Sequence, residues 1–227
     1  MEQIIIEGNR VKFVESQVRK EIPVDQFMVH IEKNLSVDTG ILPKGCVYFR
    51  RHEDNICYMI EVPATLCQVK YANDGKVNNY VISIPFTQFY INMKTSGSFG
   101  NMYMTVTKAP VRKLDDKLFI APYLNLYSQG KDKICTGNMR VREDGTVAEK
   151  INGLVSAFFE AESNNDLTPC IPKGFKTSQD NFPRFYKEWD EYTKKDRFFG
   201  ISDKVEYYPR NKTVTEMVEV ALGLRGY

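Results

Sequence analysis

Between residues 41 and 121 turn residues recur so often that only short strands fit between them. Cys46–Arg51 and Ile56–Val62 are β-rich runs, and His52-Glu53-Asp54-Asn55 between them reads as a hairpin turn. Leu66–Tyr71 is a third run, closed by Asn73-Asp74-Gly75, whose Asp-Gly pair favours a tight turn. Tyr80–Met93 is a long run interrupted by Pro85, which removes a ladder donor and predicts a bend or an edge there. Lys94–Gly100 is a Gly/Ser-rich turn, and Asn101–Lys108 follows as another strand. Strands joined by short turns predict an antiparallel meander.

Upstream, Val11–Val18 reads as a strand, and after Pro23 the apolar residues Val24, Phe27, Met28 and Ile31 follow helical spacing, with Asp25 placed to cap. Downstream the period changes. Thr146-Val147-Ala148-Glu149 is a capping-box pattern continued at helical spacing by Ile151, Leu154, Val155 and Phe158. Gly153 inside that helix predicts close packing. Residues 163–181 read as a long connection, and Phe182, Phe185, Tyr186, Trp189 and Tyr192 form a second helical stripe with Pro183 near its start. That stripe reads as core, packing a C-terminal helix onto the sheet. Thr213-Val214-Thr215-Glu216 opens a last helix, which Gly223 is suited to end. Strands first and helices afterwards make an α+β fold: an antiparallel β-meander followed by C-terminal helices. The domain reading is an N-terminal strand/helix extension over 1–40, a core over 41–165 and a C-terminal helical extension over 166–227.

Composition narrows function by exclusion. The chain has 31 Lys+Arg against 29 Asp+Glu over 227 residues, which excludes a strongly basic protein and makes nucleic acid a poor partner. No apolar run approaches the roughly 18 residues of a membrane span. The start, Met1-Glu2-Gln3-Ile4-Ile5-Ile6, has no cationic region, so no signal peptide is expected. Five cysteines, odd in number and without a C-x-x-C pair, read as reduced thiols of a cytoplasmic protein rather than as disulfide or zinc ligands. His30 and His52 are the only histidines, too few to carry a typical hydrolytic or zinc site, and both read as surface or packing residues.

One segment is the candidate for chemistry, the alternative reading being a packed thiol beside a solvated charged face. Between residues 120 and 139, Cys135 follows an irregular loop with Asn125 ten residues upstream. Lys131, Lys133, Arg140 and Arg142 stand against Asp132 alone between residues 131 and 142. Cations favour the thiolate, the nucleophilic form of cysteine. A side-chain amide folded over the sulfur can donate to a developing oxyanion. With no histidine nearby, acyl transfer through a thioester fits this set better than Cys–His hydrolysis.

The same segment resembles the active-site stretch of ubiquitin-conjugating enzymes, which carry His-Pro-Asn, a short polar loop with Gly, then Ile/Val-Cys. Tyr123-Leu124-Asn125 stands in place of His-Pro-Asn, Tyr127-Ser128-Gln129-Gly130 matches the loop, and Ile134-Cys135 matches the nucleophile. It is closer still to prokaryotic members of the PRTRC system protein B type. The shared positions are Pro122, Asn125, Tyr127, Gly130, Cys135, Gly137 and Asn138, then Phe158-Phe159. The resemblance spans roughly residues 41–165 and implies a ubiquitin-conjugating-enzyme-like fold. It implies that Cys135 accepts the acyl group of a ubiquitin-like protein from a ThiF-type activating enzyme, in a bacterial, plasmid or phage-associated system. Asn125 then stabilises the oxyanion, with Asn138 a rival polar group for that role. No cofactor is implied on this chain, because ATP is consumed by the activating enzyme. The alternative is a catalytically inactive module of the same fold that serves interactions in a multi-protein complex.

Overall fold

The computed structural model describes residues 3–7, 10–14, 18–27, 41–73, 75–127, 132–137, 139, 142, 144–164, 166–178, 181 and 184–226. The chain divides into two compact units, residues 1–40 and 41–227. In the first, β1 (Gln3–Glu7), β2 (Arg10–Val14) and β3 (Val18–Pro23) form an antiparallel sheet in that order. The single strand expected over Val11–Val18 is therefore corrected: β2 ends at Val14 and β3 begins at Val18, with residues 15–17 outside the described residues. Residues 24–27 are helical, while Met28, His30 and Ile31 lie outside the described residues.

The second unit is α+β. β4 (Cys46–His52) and β5 (Asn55–Val62) form the expected hairpin, with Glu53 at φ 52° in its turn. β6 (Thr65–Asn73) and β7 (Lys76–Ile84) form a second hairpin around Gly75, whose φ of 75° suits glycine. β8 (Phe86–Lys94) and β9 (Phe99–Thr107) form a third, and a short β10 (Phe119–Ile120) pairs with β9. The strand succession holds, but the pairing does not simply run in sequence order. β5 pairs with β8, giving a five-stranded sheet β10-β9-β8-β5-β4. The β6–β7 hairpin leaves to form a separate sheet with the two-residue β11 (Glu162–Ser163). Pro63 and Pro85 bracket that hairpin, where missing N–H donors end one ladder and let another begin.

Three helices complete the unit. α1 (Val147–Glu160) starts at Thr146 with the predicted capping box: Glu149 N–H donates to the Thr146 hydroxyl, and Thr146 N–H to the Glu149 carboxylate. α2 (Phe185–Lys195) carries the aromatic stripe, with Phe185, Tyr186 and Trp189 buried; Phe182 and Pro183 lie outside the described residues. α3 (Val214–Ala221) has its own capping box, Thr213 with Glu216, and Gly223 follows at φ 75°. Gly153 corrects an expectation: a Cβ there would meet nothing within 4 Å, so the glycine is not a close-packing residue.

The five-stranded sheet is buried on both faces. Ile56, Tyr58, Ile60, Phe89, Ile91, Met102 and Met104 face the main core with α1 and α2. Cys57, Met59, Tyr90 and Tyr103 face the other way, under Val214, Met217, Val218 and Ala221 of α3. α2 also closes the free edge of β7. Val81 N–H donates to Asp190 Oδ1 at 3.0 Å and Ser83 N–H to Thr193 Oγ1 at 2.9 Å, so helix side chains satisfy an exposed strand edge. Just beyond α2, Gly200 lies against Ser83; a Cβ there would fall 2.0 Å from the Ser83 carbonyl oxygen. Among the described residues no helix is long and apolar enough to cross a membrane.

Candidate functional site

The segment after β10 is held by aromatic packing before it reaches Asn125. Tyr123 is buried, stacked on Trp189 with centroids 6.2 Å apart, and set edge-on against Phe158 and Phe159. Its hydroxyl shares a hydrogen bond with Thr87 at 3.1 Å, and burial pushes that phenol well above its ordinary pKa. Leu124 N–H donates to the Tyr186 hydroxyl at 3.2 Å. Where the resembled family has His-Pro, this chain fixes the approach to Asn125 with a tyrosine wedged against α1 and α2.

From Asn125 the chain forms a short antiparallel ladder with the cysteine segment. Cys135 N–H donates to the Asn125 carbonyl at 2.9 Å, Tyr127 N–H donates to the Lys133 carbonyl at 3.0 Å, and Leu126 bridges Ile134 between them. The cysteine segment is itself pinned to β9: Met104 N–H donates to the Asp132 carbonyl, and Ile134 N–H to the Met102 carbonyl. Residues 128–131 lie outside the described residues, as does Asn138. Past the thiol the backbone turns at Gly137, φ 30°, where a Cβ would sit 3.8 Å from Cys135 Sγ.

Asn125 and Cys135 line one groove of about 680 Å³ together with Thr136, Gly137 and Met139. Its other wall is the end of α1 and the segment beyond it, with Glu160, Glu162, Asn164 and Asp166. Sequence reasoning joined Cys135 and Asn125 but missed this wall, whose residues, from Ala157 onward, lie at least 22 positions beyond Cys135 and carry no local signal. It also read the surroundings as cationic. Among the described residues the groove is lined by three carboxylates and by no lysine or arginine. Arg142 instead pairs with Asp144 at 3.3 Å, Lys133 is exposed, and Lys131 and Arg140 lie outside the described residues. The α1 C-terminus, with its unpaired carbonyl ends, adds to the negative field.

The thiols differ in setting. Burial pushes the thiol pKa of Cys46 up, that of Cys67 up to about 11 and that of Cys57 higher still, so all three stay protonated. Cys135 is a half-buried free thiol on the groove. The neighbouring Tyr127 phenol is held above its ordinary pKa, with hydrogen bonding to the Cys135 sulfur as the main cause. Sequence reasoning placed Tyr127 in the loop without a role. His52 is exposed at the β4–β5 turn, and His30 lies outside the described residues. Among the described residues no group of three or more His, Cys, Asp or Glu could hold a metal ion.

A model of prokaryotic E2 family D matches residues 25–188, which takes in the ladder, the groove and the start of α2. The chain belongs to that family. Membership gives it a role in a ubiquitin-conjugation-like system, alongside ubiquitin-like and activating components. No curated protein and no solved structure matches the chain.

Proposed function

We propose that this member of prokaryotic E2 family D carries a ubiquitin-like protein as a thioester on Cys135 and passes it to an amine. The observation that supports the reading is the pairing of Asn125 with Cys135 across one ladder, with both residues on one groove. In the first step Cys135 Sγ bonds to the acyl carbon presented by a ThiF-type activating enzyme, whose own thiolate leaves. In the second an amine attacks the same carbon. The C–N bond forms, the C–S bond breaks, the sulfur keeps the electron pair, and the amine proton goes to solvent or to a groove carboxylate. Both steps pass through an oxyanion, and the Asn125 side-chain amide is the donor for it, with Asn138 a second amide nearby in sequence. ATP is spent by the activating enzyme, so this chain needs no cofactor. We assign the system to the PRTRC protein B type, in a cytoplasm that keeps thiols reduced. Residues 1–40 and 166–227 are extensions of a conjugating core over 41–165.

A catalytically inactive interaction module is the second reading, and the carboxylate wall favours it, because three negative groups oppose an anionic sulfur. Expression of Cys135→Ser in the host separates the two. Transfer chemistry predicts an oxyester adduct of a small protein that survives thiol reductant, a reductant-labile adduct on the unaltered chain, and none on Cys135→Ala. No adduct on any of the three supports the inactive module.

A further inference from the structure

The ladder beside Cys135 has two faces of unlike character. Alternation along each side sets Leu126 and Ile134, both buried, on the inner face. Asn125, Tyr127, Lys133 and Cys135 therefore share the outer face. Asn125 lies directly opposite Cys135, and Tyr127 is its diagonal neighbour, a separation an aromatic side chain spans. The phenol is 43% exposed, and the Cys135 sulfur is the main cause that holds its pKa up, so the ring stands beside the reacting atom without being part of the core.

We propose that Tyr127 is a catalytic residue of the thioester chemistry, its hydroxyl donating to Cys135 Sγ whenever that sulfur is anionic. This rests on the reading of Cys135 as the acyl carrier. Before transfer the O–H···S⁻ bond steadies the thiolate against the groove carboxylates; charge-assisted bonds are roughly twice as strong as neutral ones. As the S–C bond forms, the sulfur loses its charge and the hydrogen bond weakens. When an amine attacks and the C–S bond breaks, the electron pair returns to sulfur and the same hydroxyl stabilises the leaving thiolate. The phenol keeps its proton throughout.

Alkylation kinetics test this on the full chain. A limiting dose of iodoacetamide is applied between pH 6 and 9, and each cysteine peptide is quantified by mass spectrometry. Tyr127→Phe slows Cys135 alkylation at pH 7 by about three- to tenfold and moves its pH profile to higher pH. Cys46 and Cys67 in the same sample keep their rates. Lys133 on the same face, and Glu160, Glu162 and Asp166 across the groove, are unchanged in the variant, so the comparison isolates the hydroxyl. Tyr127→Leu shows the same loss as Tyr127→Phe. An unchanged rate and profile in Tyr127→Phe, or a loss seen only in Tyr127→Leu, overturns the role of the hydroxyl. A wild-type Cys135 no more reactive than Cys46 or Cys67 is a different result, and it removes the acyl-carrier reading itself.

Discussion

Arg210, in the segment leading into α3, forms an ion pair with the buried carboxylate of Asp132, three residues before Cys135. Asp132 is fully buried, and burial outweighs the neighbouring Arg210 and Lys212 cations, so its pKa is pushed up to about 6. The cysteine segment is thus fastened twice, by its backbone to β9 and by this side chain to the C-terminal region.

The pair gives stability a pH dependence of known sign. The folded state binds the Asp132 proton more tightly than the unfolded chain, whose ordinary value is 3.8. The stability tied to this proton is full below about pH 4 and is lost as pH rises to about 6, an effect on the order of 3 kcal/mol. Urea unfolding of the wild type and Asp132→Asn across that range should show the difference between them changing by about this amount. A difference that stays flat with pH contradicts the assignment.

Thr193 provides a second test, at the edge of β7. Thr193→Val keeps the shape but leaves the buried Ser83 N–H without its acceptor. The expected loss is about 1–3 kcal/mol in urea unfolding. Amide exchange at Ser83 should accelerate more than at Ile91 in the centre of β8.

On the opposite face Met217 is wholly buried in the cluster formed by α3, Met59 and Tyr90. Met217→Ala should cost about 2–5 kcal/mol, read as a lower urea midpoint at unchanged slope. A loss under about 0.5 kcal/mol, the scale of an ordinary surface substitution, would mean that α3 does not cover the sheet.

Much of this fold is legible because turns announce themselves. Asp-Gly, Pro85 and the two Thr-x-x-Glu boxes mark hairpins and helix starts through local chemistry that needs no partner. The pairing of β5 with β8 is not legible, because both candidate neighbours of β5 are strands of suitable composition. Runs such as Tyr58-Met59-Ile60 and Phe89-Tyr90-Ile91 are apolar without alternation, since α3 buries the second face, so periodicity cannot assign their sides. At the site, Asn125 and Cys135 are readable because a short ladder joins them. The carboxylates of Glu160, Glu162 and Asp166 arrive only through tertiary folding, which a local count of the charges around Cys135 does not contain.

Under the proposed thioester chemistry, a variant at Asn125 separates binding of the acyl group from its transfer. Asn125→Ala should slow discharge of a Cys135 thioester to an added amine by about 10²–10³-fold, the usual cost of one oxyanion donor. Discharge followed on non-reducing gels at an undiminished rate would mean that its amide does not serve the oxyanion.

If Cys135 is the working thiol, its reactivity in the native wild-type protein stands apart from that of the other four cysteines. After a limiting dose of alkylator, peptide mapping should find Cys135 labelled well ahead of Cys46, Cys57 and Cys67, whose thiols burial holds protonated. Labelling spread evenly over the cysteines, or led by any other, would mean that Cys135 is not the working thiol.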